Sequence, residues 1–106
     1  MVQLRITPTE DGFRLEGELD MATADDLSQI FRDAPSNETI VLDFSGVSFM
    51  DSSGLRALLE GAGQPTGCGP VVIVNPSAQV RRVLDISIPG GTPGLEVRSL
   101  GEEPRS

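Results

Sequence analysis

Two short runs, Thr39-Ile40-Val41-Leu42-Asp43-Phe44 and Val71-Val72-Ile73-Val74, constrain the fold more than any other feature of the chain. They are nearly continuous in apolar and β-branched residues, the pattern of central strands buried on both faces of a sheet. Between them lies a segment with helical spacing, so the two strands are parallel and joined by a crossover that packs on the sheet.

The remaining elements build around this pair. Val2, Leu4 and Ile6 alternate with polar neighbours, as do Phe13, Leu15 and Leu19. The turn-rich Thr7-Pro8-Thr9-Glu10-Asp11-Gly12 between them predicts a β-hairpin. A helix is predicted from near Thr23, with Leu27, Ile30, Phe31 and Ala34 on one face and Pro35 closing it. Thr23 and Asp26 have the spacing of a capping box. The second helix starts at Asp51-Ser52-Ser53-Gly54, carries Leu55, Leu58, Leu59 and Ala62, and is ended early by Gly61, Gly63, Pro65, Gly67 and Gly69. Asn75-Pro76-Ser77 opens a third helix with Val80, Val83 and Leu84 on its buried face. After the loop Pro89-Gly90-Gly91-Thr92-Pro93-Gly94, Leu95-Glu96-Val97 forms a short last strand. The order β-β-α-β-α-β-α-β predicts an α/β fold with a mixed sheet, short helices mainly on one face and the other face partly open. One domain spans residues 1–98, followed by a short flexible tail, 99–106.

Composition removes most self-sufficient chemistry. The 106 residues include no His, Trp or Tyr, and all 8 cationic side chains are Arg, so Lys is absent too. A Ser-His-Asp triad, a Ser-Lys dyad, a Schiff base and a P-loop lysine are therefore excluded. The single Cys68 rules out an intrachain disulfide and a thiolate zinc site, and its neighbours give no reason for a reactive thiolate. Against 8 arginines stand 16 carboxylates, a net charge of -8. That balance disfavours nucleic acid and anionic membrane surfaces. Neither a signal-peptide pattern nor a run approaching ~18 apolar residues occurs. A cytoplasmic domain without cofactor or metal is the expectation.

The segment Phe49-Met50-Asp51-Ser52-Ser53-Gly54-Leu55 stands out. On pattern alone it is a strand-to-helix loop whose Asp and Ser residues cap the second helix. A hydroxyl at a helix amino terminus is also a place where free N–H groups and the dipole receive a phosphate. The elbow pattern of a serine nucleophile, Gly-x-Ser-x-Gly, is absent. Gly17-Glu18-Leu19-Asp20 with Thr23 ends the second strand and starts the first helix. If these strands are adjacent, Asp20 and Asp51 share a rim with Ser52 and Ser53. With no third ligand visible, a binding rim is favoured over a metal or acid-base site.

Gly17-Glu18-Leu19-Asp20-x-x-Thr23-Ala24, Val47-Ser48-Phe49-Met50-Asp51-Ser52-Ser53-Gly54-Leu55 and Asn75-Pro76-Ser77 leading to Val80-Arg81-Arg82-Val83-Leu84 together resemble the STAS domain. More narrowly they resemble its free-standing anti-sigma factor antagonists of the SpoIIAA type. The resemblance implies phosphorylation at Ser52, not Ser53, by an anti-sigma factor with an ATP-binding kinase fold. It implies a partner-binding surface drawn from Asp20, Thr23, Met50, Asp51, Ser53 and Gly54, and a phosphoserine phosphatase that resets the switch. The sequence departs from the family in its short second helix and in lacking a carboxy-terminal helix after the last strand. A STAS subunit of another signalling complex, or an accessory subunit of a transport system, are the alternative readings.

Overall fold

The computed structural model describes residues 4–33, 39–62, 70–88 and 94–98. The strands are β1 (Leu4–Pro8), β2 (Gly12–Leu19), β3 (Ile40–Met50), β4 (Val71–Val74) and β5 (Leu95–Arg98). The helices are α1 (Ala24–Asp33), α2 (Ser52–Ala62) and α3 (Ala78–Ser87). Val2, Ala34, Pro35, the stretch 63–69 with Cys68, the loop 89–93 and the tail 99–106 lie outside the described residues.

The sheet order is β1-β2-β3-β4-β5, with β1 antiparallel to β2 and the other pairs parallel. Spatial order equals chain order, so every crossover steps the same way. Right-handed connections then put all three helices on one face. The mixed α/β architecture expected from the sequence is the one observed.

β3 differs from expectation in length and in cover. It runs to Met50 rather than ending at Phe44, and two irregularities each place an extra β3 residue opposite β2, between Arg14/Glu16 and Gly17/Glu18. Its buried residues are Ile40, Leu42, Phe44, Val47 and Met50. The spacing changes from two to three where the bulges fall, so the far half of the strand lost its period-two signature in the sequence. Val41 and Asp43, on the opposite face, are only half-buried, which leaves β3 covered by helices on one face alone.

The core joins Leu15 and Leu19 of β2 to these β3 residues, to Val71 and Ile73 of β4, and to Leu27, Ile30, Phe31, Ala57, Leu58, Val80 and Leu84 of the helices. α1 and α2 approach closely because Gly61 faces Phe31. A Cβ at Gly61 would stand 2.0 Å from Phe31 Cδ2.

Gly61→Ala is normally favourable in a helix by up to about 1 kcal/mol. Here the methyl enters the Phe31 ring, and overpacking of this kind costs about 1–3 kcal/mol. Calorimetric melting of Gly61→Ala is expected to show a lowered Tm, partly recovered by adding Phe31→Leu.

Candidate functional site

β2 and β3 pair in parallel with Leu19 opposite Met50. The next residue of each strand is an aspartate, so Asp20 and Asp51 emerge side by side at the carboxyl rim of the sheet. The Asp51 N–H donates to the Leu19 carbonyl at 3.0 Å and fastens the two strand ends together. The two aspartates thus share the carboxyl-end rim of the parallel strands.

Each carboxylate uses one oxygen on its own backbone. Asp51 Oδ1 accepts from the N–H of Ser53 (2.8 Å) and Gly54 (3.2 Å), capping α2. Asp20 Oδ1 accepts from Ala22 (3.0 Å) and Thr23 (3.2 Å), shaping the turn into α1.

Thr23 is buried, at 2% exposure. Its hydroxyl donates to the Glu18 carbonyl at 2.7 Å and accepts from the Asp20 N–H at 3.0 Å. The expected capping box with Asp26 does not form by this route. The hydroxyl is turned back toward the end of β2, and Asp26 N–H reaches the Thr23 backbone carbonyl at 3.0 Å instead.

Ser52 is the first residue of α2 and is exposed; Ser53 beside it is half-buried. The expectation of free N–H groups for a phosphate is corrected by the cap. A helix start leaves four N–H groups without intrahelical partners. Those of Asp51, Ser53 and Gly54 are taken by Leu19 and by Asp51 itself. What remains for a phosphate on Ser52 is the N–H of Ser52 itself, the dipole and an exposed position.

Met50 is 2% exposed and belongs to the core, and Gly54 is buried against β2. A Cβ at Gly54 would lie 2.6 Å from the Leu19 carbonyl oxygen and 2.8 Å from Leu19 Cβ, so only glycine lets α2 start this close to β2. Of the residues expected on a binding surface, then, Asp20, Asp51 and Ser53 lie at the rim with Ser52. Thr23, Met50 and Gly54 stand behind it, because burial leaves them no face to offer. One exposed apolar residue of the rim lies outside the residues the sequence singles out, Met21 at 81%; Phe49, at 37%, precedes core-facing Met50 and lies on the open face of the sheet. Met21 follows the strand's last buried leucine and breaks the polar character of its turn, which was the available signal. Among the described residues no group of three or more acidic or Cys side chains is arranged to hold a metal, and no helix is long and apolar enough to cross a membrane.

A five-stranded mixed sheet with its helices on one face, and a capped helix presenting a serine at the parallel rim, is the arrangement to set beside known proteins. The family model described as Mlab, STAS domain, matches residues 2–87, and the chain belongs to that family. Two solved structures are similar over most of the chain. An anti-sigma factor antagonist from Mycobacterium paratuberculosis is 26% identical, with a TM-score of 0.57, covering 88% of this chain and 83% of its own. The anti-sigma factor antagonist SpoIIAA in its unphosphorylated form is 25% identical, with a TM-score of 0.56, covering 89% and 86%. No curated protein matches the sequence.

Substitutions at Asp51 are expected to separate fold from charge. Asp51→Ala removes the α2 cap and lowers stability by about 0.5–2 kcal/mol, whereas Asp51→Asn keeps an acceptor and stays near wild type. Thr23→Val strands a buried carbonyl and N–H and costs about 1–3 kcal/mol. Calorimetric melting of the three variants checks both statements.

Proposed function

We propose that the chain is an anti-sigma factor antagonist. Unphosphorylated, it binds an anti-sigma factor with a kinase fold; phosphorylated at Ser52, it is released, and a phosphoserine phosphatase resets it. The observation that carries this reading is the exposed Ser52 hydroxyl at the first residue of α2, on a rim whose helix cap is already filled by Asp51. The likeness to two anti-sigma factor antagonists supports it. The chain is the acceptor in the transfer: the γ-phosphoryl group of ATP passes to Ser52 Oγ, ADP leaves, and the hydroxyl proton goes to a base of the partner. ATP, Mg²⁺ and base come from the kinase, because this chain has no His or Lys.

Phosphorylation adds about -1.5 to -2 charges. At the start of α2 the dipole returns roughly 0.3–1 kcal/mol. Repulsion from Asp51, at ~5 Å in water-like dielectric, costs on the order of 1 kcal/mol per unit charge before salt screening. The opposing terms are of similar size, so the fold stays nearly as stable as before. Inside an interface the dianion must be desolvated, and a loss of several kcal/mol lowers affinity about a thousandfold.

The test mixes the protein with ATP and each kinase-fold anti-sigma factor of the same genome, read by intact mass and phosphopeptide mapping. One phosphate on Ser52, a small change in Tm and a roughly thousandfold loss of affinity by calorimetry are expected. A phosphate on Ser53, or an affinity unchanged by Ser52 phosphorylation, refutes the switch. Absence of both labelling and binding returns the chain to the other STAS roles, in a different signalling complex or a transport system.

A further inference from the structure

Three large apolar side chains are exposed among the described residues, Met21, Phe49 and Ile86, and Met21 lies in the turn that leads from the rim into α1. Met21 is 81% exposed, yet the turn that displays it is tightly held. Asp20 Oδ1 takes the N–H groups of Ala22 and Thr23, and the buried Thr23 hydroxyl ties Asp20 N–H to the Glu18 carbonyl. A Met on a loose loop loses conformational freedom when it docks; one on a pre-set turn loses less backbone freedom.

The surroundings define what fits there. Glu18, Asp20, Asp25, Asp26 and Asp51 form no salt bridge among the described residues, whereas Glu16 pairs with Arg14 at 4.0 Å and Arg56, one turn along α2 from Ser52, pairs with Glu60 at 3.4 Å. Asp25 and Asp26 are exposed in the first turn of α1. An apolar projection ringed by uncompensated carboxylates is complementary to an apolar slot bordered by Arg or Lys.

We propose that Met21 is the apolar anchor of this interface, seated in such a basic-rimmed slot on the anti-sigma factor. The proposal rests on the partner reading above. Thr23 and Asp20 are positioning residues that hold the anchor; the acidic rim governs encounter, and Met21 governs residence.

The experiment measures association and dissociation rates of the unphosphorylated protein on the anti-sigma factor that labels Ser52, at two salt concentrations. Met21→Ser is expected to weaken binding about tenfold or more, mainly through faster dissociation, with Tm unchanged. Met21→Leu is expected to restore most of the affinity. Raised salt slows association of wild type and variant alike, leaving their dissociation ratio in place. Ile86→Ser is the control: Ile86 is 73% exposed, but it lies at the end of α3 that returns toward the opposite edge of the sheet, and its loss leaves affinity unchanged. Binding of Met21→Ser within twofold of wild type overturns the anchor while leaving the Ser52 switch standing. So does an Ile86→Ser loss as large as that of Met21→Ser, or an association rate indifferent to salt. A wild-type protein that neither binds nor is labelled overturns both readings.

Discussion

The pairing of β2 with β3 is the constraint from which the rest of the molecule follows. It is the longest of the four pairings, and two bulges interrupt it. Parallel strands cannot be joined by a tight turn, so the chain must make α1 between them and then α2 after β3. Because the two strands end in register at Leu19 and Met50, both helices begin from one rim, and Asp51 N–H closes the gap to Leu19. Gly54 then lets α2 begin in contact with β2. An ordinary strand without bulges would bury residues 46 and 48 in place of Val47 and alter the approach to Met50. The helix start carrying Ser52 is thus positioned by the sheet together with its own Asp51 cap and Gly54.

Much of this was legible in the chain, and the gaps have physical causes. The apolar runs at 40–44 and 71–74, the Ser77 cap and the helix stripe Leu27-Ile30-Phe31 point to their elements without help. Ser77 indeed accepts from Val80 N–H at 3.3 Å. The continuation of β3 was hidden because a bulged strand repeats its core residues every three positions, and polar Ser45, Gly46 and Ser48 fill the rest. Apolar character also overstated the cover on β3, since Val41 faces the open side of the sheet. At the rim, residue type indicated polarity but not depth. Thr23 and Asp20 have the same apparent capping chemistry in sequence, yet Thr23 is sealed inside the turn and Asp20 lies at its edge. Met21 was passed over because a lone exposed methionine has no sequence period to mark it.

The aspartates divide their oxygens between two tasks. Oδ1 of each completes a backbone cap, while no described residue bonds Oδ2 of either. The anionic charge of the rim is therefore present on groups held in place by their own structural role. A substitution that removes the side chain confounds the two tasks, and a substitution to Asn separates them, because the amide keeps an acceptor and discards the charge. The rim is rigid for the same reason that it is acidic.

This arrangement settles what kind of switch a phosphate at Ser52 makes on the proposed reading. A helix start with empty N–H groups would fold a phosphate back onto itself and change the local structure. Here Asp51 already occupies the donors of Ser53 and Gly54, so the phosphate stands outward. An outward dianion and a basic partner surface attract at long range, which by itself would strengthen binding. The opposition arises at contact, where Ser52 must face the nucleotide of the kinase. On the proposed reading the phosphoserine would stand after transfer against the phosphates of ADP, two anions in a dry site, whereas the rim carboxylates would meet cations around that point. Coulomb energy grows as the effective dielectric falls, so repulsion in the desolvated centre outweighs attraction at the wet edge. On that reading the same acidic surface would serve capture of the partner before phosphorylation, and Ser52 would serve release after it.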